Sequence, residues 1–585
     1  MTVADAISRP FGPIGRWIYR RLWWIEHGYE RARASEQAEG DTRLRIFFVL
    51  ALFGAGFVVL ALGATRAALF SPYGHGAEVS LPAANARADL TDRNGEVLAF
   101  DVPRFGLYVD PQQMAFPDRV EAALLKAVPD ISATKLAKFL ASDKRQYVIG
   151  GLTPEQQAAV HDLGLPGVSF EEETGRDYPL DSFAAHVIGF SSRDGFGISG
   201  AERGFDNALR ADNGKNPVAL SIDLRVQAAL ENELNKAVTD FQPQDGVGMV
   251  VNVRTGEILA MSSWPTFNPN TVTGFDRTTM TNHAAATVYE PGSVMKVFTL
   301  AMGLDAGLVT PDTTFNVGAP LTVDGQTIHD FDHEPPVLTV KQVFTYSSNI
   351  GAAHIGLLAG PDVMSRYYRA FGLFDAAPSE LAESARPLVR PKLTDNIVAS
   401  MSFGHSINVS PLAIATGMSA ILNGGIYRPL TLKRLDPGQA PATGHRVIQE
   451  STSETMLGLM RANVLEGTGT RADQIGLRVG GKTGTATKLV DGHYAEGKNV
   501  ANLASFAAIF PTDGPIGADR YLVLIMLDAP KATPADSGVT TGGFTAAPVA
   551  GRVINRIAPF LGVQRVITAS DLAPKPAANS GANER

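Results

Sequence analysis

Ser293 and Lys296 sit in the run Tyr289-Glu290-Pro291-Gly292-Ser293-Val294-Met295-Lys296, the part of this 585-residue chain whose residue types and spacing could do covalent chemistry. Pro291 and Gly292 mark a turn before an apolar run, Val297 to Leu304, that can continue as a helix. The serine then falls in the first turn, with the lysine three residues on and on the same face. A serine hydroxyl is a weak nucleophile until a neighbour accepts its proton, and a lysine desolvated in a mostly apolar site can do so while neutral. Helix-start amides beside Ser293 would favour negative charge developing there. A solvent-facing helix turn could carry the same pair, so the pair alone does not decide. The chain has no cysteine, which removes thiolate metal sites, disulfides and a cysteine nucleophile together.

Two further motifs bear on the choice. Ser347-Ser348-Asn349 follows the helical stretch LTVKQVFTYS, and Lys482-Thr483-Gly484-Thr485 lies in a strand-like segment. Taken singly, the first reads as a helix cap and the second as a turn. Together they supply a second hydroxyl and an amide for proton relay and substrate contact, and a strand bearing a cation and hydroxyls. His329 and His333, with Asp330 and Asp332 between them, could suggest a metal site. Glu334-Pro335-Pro336 follows at once, so no helix would align the two histidines, and a loop bordering the active cleft is the better reading.

The elements that must hold these motifs are legible around them. VGMVVNVRTGEILAMSS reads as two strands joined by a turn at Arg254-Thr255-Gly256. LRVGGKTGTATK, LASFAAIF and YLVLIMLDA read as three more, and the sequence between the two sets is mostly helical in pattern. That order describes an α+β domain with one antiparallel sheet and a helical insertion. A helix capped by Asp223 begins it, which places a boundary near residue 220. Upstream, Asp92-Arg93-Asn94-Gly95 forms a hairpin-type turn. Strand-like pieces (Phe105 to Val109, Gln146 to Ile149) then mix with amphipathic ones (Pro117 to Val128, Pro154 to Leu163). Residues 564–585 read as a disordered polar tail.

From Ile46 to Thr65 the chain runs uncharged for the length a helix needs to cross a bilayer. Residues 1–45 hold eight arginines against six acids, and after Arg66 the next basic residue is Arg87. This bias puts the N-terminus in the cytoplasm and the rest outside. The long leader argues for an uncleaved anchor rather than a signal peptide. Ile14, Trp17, Ile18, Leu22 and Ile25 fall at helical spacing, which fits either a helix on the inner membrane surface or a tail with a few apolar residues. The expected division is therefore 1–45 cytoplasmic, 46–65 anchor, 66–219 pedestal, 220–563 catalytic domain and 564–585 tail. With 51 basic and 59 acidic residues, a net charge of −8 and no long basic run, nucleic acid is excluded as a partner.

The three motifs in this order resemble those of the class B penicillin-binding proteins, most closely the division-specific D,D-transpeptidases. The resemblance runs from the anchor to about residue 563. It includes DRNGEVLA (Asp92 to Ala99), Tyr178 with its proline, GAERGFD (Gly200 to Asp206), TGEILAM (Thr255 to Met261) with Pro265 and Asn270, and GGKTGTA (Gly480 to Ala486). One departure is Ala413, where the family often has a polar residue, and it puts a supporting contact in doubt.

The resemblance implies that Ser293 attacks the penultimate D-Ala carbonyl of a pentapeptide stem and that Lys296 takes the serine proton. Ser347 and Lys482 relay a proton to the leaving amine. Asn349 binds the substrate's amide side, and Thr483 and Thr485, flanking Gly484, bind the terminal carboxylate. The backbone amides of Ser293 and Thr485 would hold the oxyanion. β-Lactams would acylate the same serine, and no cofactor or metal is expected. The pedestal is about one domain in size, so glycan polymerisation falls to a partner, by resemblance an FtsW-type polymerase in the division complex. The location implied is the bacterial cytoplasmic membrane, single-pass, with a periplasmic catalytic domain at the septum. The elongation-specific transpeptidase, which often has Asp at the position of Asn349, is the alternative enzyme. A non-catalytic division scaffold is the alternative from another class.

Overall fold

The computed structural model describes residues 23, 49, 51–61, 86–331, 335–436, 438–439, 441–490, 493–494, 502–532 and 539–568. It divides into two compact units, Met1–Ser80 and Leu81–Arg585. In the first, residues 51–61 are helical and exposed, Leu52 by 75%. No helix among the described residues is long and apolar enough to cross a membrane. The remaining residues of the expected anchor, the expected surface helix apart from Trp23 and its helical backbone, and the tether after the anchor lie outside the described residues.

In the second unit, the pedestal is built on the 13-residue strand β1 (Val97–Val109). It pairs antiparallel with β2 (Gln146–Leu152) and with β3 (Val168–Asp177). Helices Pro117–Ala127, Ala133–Leu140 and Pro154–His161 cover one side. Leu107, Val109, Leu124, Leu136, Leu152 and Val160 close a small core beneath them. Two of these helices are the amphipathic segments expected from the sequence. Thr153 and Gln156 start the third with a reciprocal capping box. The hairpin turn is present, its Gly95 at φ +93°, and Asp92 Oδ1 accepts from Asn94 N at 2.7 Å and Glu96 N at 3.0 Å.

The catalytic part holds the expected antiparallel sheet of five strands, and among the described residues five two-stranded antiparallel pairs lie outside it, where the sequence pattern suggests one sheet alone. The strands of the larger sheet are β4 (Asp245–Asn252), β5 (Ile258–Trp264), β6 (Gly480–Thr487), β7 (Asn502–Phe510) and β8 (Tyr521–Asp528), in the order β6-β7-β8-β4-β5. Two strands from one end of the sequence and three from the other thus close one sheet, and β6, with the Lys-Thr-Gly motif, is its edge. Helix α1 (Leu224–Phe241) begins at Asp223, whose Oδ1 accepts from Arg225 N at 3.0 Å. The insertion between β5 and β6 includes α2 (Lys296–Asp305), α3 (Asn349–Ala370), α4 (Pro411–Leu422) and α5 (Glu450–Glu466). Helix α6 (Ala546–Ile557) packs with α1 on one face of the sheet, sharing a core with Leu230, Val250, Phe506, Val523 and Ile554.

A second core lies on the other face of the sheet, and it runs through the boundary expected near residue 220. Leu90, Leu98, Tyr178, Ile188 and Leu209 belong to the same buried cluster as Met249, Phe298, Met418 and Leu524. Only the outer part of the pedestal has a core of its own. A buried ionic cluster ties the inner part together. Arg87 pairs with Glu202 at 2.6 Å and Asp206 at 2.5 Å, and Arg176 pairs with Glu202 at 2.7 Å and Asp101 at 2.9 Å. The first residues of the expected tail are bonded to the catalytic part. Val566 N donates to Gly476 O at 2.9 Å and Arg478 Nη2 to Val566 O at 3.1 Å, so the chain stays bound through this point, and residues 569–585 lie outside the described residues.

Candidate active site

The serine turn is held in place before any chemistry is considered. Tyr289 and Val409 exchange two backbone hydrogen bonds of 3.0 Å, and Gly292 N donates to Gly404 O at 3.3 Å. Tyr289 Oη donates to Asp245 Oδ1 at 2.9 Å, tying the turn to β4. Gly292, at φ +56°, lets the chain reverse where a Cβ would meet Thr485 O at 2.7 Å. Gly292–Met295 is a 3-10 turn rather than the first turn of an α-helix, and α2 starts only at Lys296. In 3-10 geometry residues i and i+3 eclipse, which brings the Lys296 side chain directly over Ser293. Their Nζ to Oγ distance is 3.0 Å.

Lys296 is fully buried and meets four oxygens. Besides Ser293 these are Ser347 Oγ at 3.1 Å, Asn349 Oδ1 at 2.8 Å and the Ser347 carbonyl in a short contact. The Asn349 amide is oriented, because its Nδ2 donates to His329 O at 3.1 Å. Asn349 Oδ1 and the Ser347 carbonyl can only accept. When neutral, Lys296 can give its two N–H groups to these two carbonyl oxygens and keep its one lone pair for the Ser293 hydroxyl. Burial, and next the charge of Lys482, push Lys296 well below the usual lysine range, with Asp330 opposing them.

Lys482 reaches the same serine from the sheet. Its Nζ is 2.9 Å from Ser347 Oγ, so one hydroxyl bridges both lysines. Lys482 is also fully buried, and burial lowers it to about 7. Ser347 stands at φ +65°, an uncommon backbone for a serine, and this turn presents both its carbonyl and its hydroxyl to Lys296. Thr483 is buried and Thr485 half-buried. Between them, Gly484 leaves room where a Cβ would lie 2.2 Å from Ser505 Oγ and 2.9 Å from Pro291 O. The structure thus brings Ser293, Lys296, Ser347, Asn349 and Lys482 into one hydrogen-bonded cluster. Thr483, Gly484 and Thr485 follow on the strand that passes beneath the serine turn.

Three features were not read from the sequence. Asp330 accepts from Ser348 Oγ at 2.7 Å, Asn349 N at 2.5 Å and Ile350 N at 3.0 Å, so it caps α3. Its loop borders the cleft as expected, while Asp332 and His333 lie outside the described residues. His405 is held low by burial and then by Lys296. Thr468 touches Thr483, Oγ1 to Oγ1, at 2.6 Å. The departure at Ala413 is absorbed: it is buried in α4, and its N–H donates to Ser410 Oγ at 3.2 Å to start the helix.

The profile of the penicillin-binding protein transpeptidase domain matches residues 246–555, and that of the penicillin-binding protein dimerisation domain matches residues 82–240. A probable peptidoglycan D,D-transpeptidase FtsI of Caulobacter vibrioides is 48% identical over 569 residues, covering 96% of each chain. The peptidoglycan D,D-transpeptidase FtsI of Escherichia coli K12 is 30% identical, covering 82% of this chain and 84% of that one. A probable peptidoglycan D,D-transpeptidase PenA of Neisseria gonorrhoeae is 32% identical, covering 79% and 83%. The chain belongs to the penicillin-binding protein transpeptidases, as a class B protein of the FtsI type.

Proposed function

We propose that this D,D-transpeptidase crosslinks peptidoglycan stems at the division septum through an acyl-enzyme on Ser293. The observation that carries the assignment is the fully buried Lys296 amine 3.0 Å from Ser293 Oγ and in contact with two oxygens that can only accept, so that the neutral amine can donate to those two and keep its lone pair for the Ser293 proton. Ser293 Oγ forms the ester with the penultimate D-Ala carbonyl while its proton passes to Lys296. The amide bond to the terminal D-Ala breaks, and a proton delivered through Ser347, which touches both lysines, leaves with its amine. The amine of a neighbouring stem then attacks the ester and restores the Ser293 hydroxyl. Thr483 and Thr485 receive the terminal carboxylate, and Asn349 Nδ2 lies on the substrate's amide side.

The exposed apolar helix within 51–61 supports an anchor over 46–65, with the catalytic part outside the membrane. An FtsW-type polymerase, met through the pedestal, would supply the glycan strands. The test is covalent labelling with a fluorescent penicillin. The intact protein labels stoichiometrically and Ser293→Ala loses the label while its thermal unfolding stays unchanged. Stoichiometric label on the alanine variant would overturn the assignment, and a chain that never labels would favour a scaffold.

A further inference from the structure

Thr468 belongs to none of the three motifs, yet it joins two of the segments that carry them. Helix α5 ends at Glu466, and Gly467-Thr468-Gly469 turns the chain toward the cleft. The Thr468 N–H is shared between Asn463 Oδ1 at 3.2 Å and Thr345 O at 3.3 Å. Thr345 closes the short helix just before Ser347. The Thr468 hydroxyl is 2.6 Å from Thr483 Oγ1 and 3.2 Å from Asn463 Oδ1. Asn463 cannot be turned over, since its Nδ2 donates to Gly481 O at 2.8 Å, so its oxygen only accepts.

The Thr468 proton then has two destinations on these partners. If it goes to Asn463, the 2.6 Å contact requires Thr483 to donate to Thr468. Thr483 would then offer only lone pairs to the cleft, which repel a carboxylate. If it goes to Thr483 instead, the Thr483 proton is released for an incoming anion, and hydrogen bonds to charged acceptors are the stronger kind. Asn463 Oδ1 keeps the Thr468 N–H in both states, so the exchange strands no buried acceptor.

We propose that Thr468 is a positioning residue that sets the Thr483 hydroxyl as a donor to carboxylate-bearing acyl donors, its own proton swinging from Asn463 to Thr483 as the carboxylate enters. The inference rests on the reading that Thr483 meets the substrate carboxylate. Only rotation about two C–O bonds is involved, and no proton changes oxygen.

The experiment compares acylation by a penicillin with its free carboxylate and by the methyl ester of the same penicillin. Thr468 is exposed, so Thr468→Val removes the hydroxyl at little cost to folding. Thr468→Val should slow acylation by the acid about tenfold, the worth of one hydrogen bond to a charged group, and leave the ester within about twofold. Thr468→Ser should restore the acid rate. Equal loss for acid and ester would mean a merely structural role and overturns the proposal. So does an unchanged acid rate in Thr468→Val. Thr483→Val is the control for the underlying reading. If it keeps the acid-over-ester preference, the carboxylate role of Thr483 falls and the proposal with it. If it loses that preference while Thr468→Val keeps it, only the Thr468 proposal falls.

Discussion

Two lysine amines meet on one serine oxygen at the centre of the site, at 3.1 and 2.9 Å, and both are fully buried. Two ammonium groups this close repel, and each loses its hydration, so the folded protein holds them short of protons that the unfolded chain would bind. The sign follows from the direction of the shift. Between about 7, where Lys482 titrates in the fold, and its usual value of 10.5, the unfolded chain carries the extra proton. Unfolding free energy should therefore rise with pH across that window, and the penalty is complete below it. Lys482→Met should flatten the slope by up to a few kcal/mol over the window, measured as the difference between the two proteins in urea unfolding at pH 7, 8 and 9. Parallel slopes would mean that Lys482 is not held neutral.

Among the elements, α3 shows how a helix start becomes part of a site. The first amides of a helix lack internal partners. Here Asp330 takes those of Asn349 and Ile350, and Ser348 Oγ takes that of Gly351 at 2.9 Å. The middle residue of Ser347-Ser348-Asn349 is thus the cap, and the residues on either side of it are left to face Lys296. Asp330→Asn keeps the shape and removes the charge. It should cost roughly 1 kcal/mol of stability, as capping changes do. Asp330 also raises Lys296, against burial and Lys482. Removing its charge should lower Lys296 further, so the acid limb of penicillin acylation should move to lower pH. A limb that stays or moves up would show that Asp330 acts on α3 alone.

At the scale of the molecule, the pedestal and the catalytic part share one core on the inner face of the sheet, and motifs far apart in sequence are the contacts between them. Asp92 Oδ2 accepts from Leu224 N at 3.1 Å, where α1 begins. Asn270 brackets Tyr178, accepting its N–H at 3.0 Å and donating to its carbonyl at 2.8 Å. Glu383 accepts from Gly200 N at 3.1 Å. Under the proposed septal role, the pedestal and catalytic part braced in this way would work beside a glycan-making partner. Depletion should block division and give long or branched undivided cells, with the protein gathered at midcell. A chain lacking residues 1–66 should remain soluble, label with penicillin and fail to rescue division. Swollen cells with the protein spread along the sidewall would point to the elongation role and leave Ser293 chemistry untouched.

The candidate nucleophile Ser293, the candidate base Lys296 and the strand opposite were readable in the chain because each motif is local. A Pro-Gly turn before an apolar run, a Ser-Ser-Asn cap and a Lys-Thr-Gly strand declare themselves within a few residues. Strands β4, β5, β7 and β8 were readable because each holds an apolar run buried on both faces, whereas β6 was readable through its glycines and its Lys-Thr-Gly motif. Strand β3 was not, since Glu171, Glu172 and Glu173 interrupt any apolar alternation and the strand exists through its ten-residue register with β1. The 3-10 form of the serine turn could not be read either, because it comes from docking against Gly404 and β6. Asp330 and Thr468 are polar residues in ordinary turns, and their partners, the α3 amides and Thr483, become neighbours only when the insertion folds back on the sheet edge. Local periodicity and turn chemistry carry no information about such pairings, so tertiary packing alone decided which proton donors and acceptors the cleft presents.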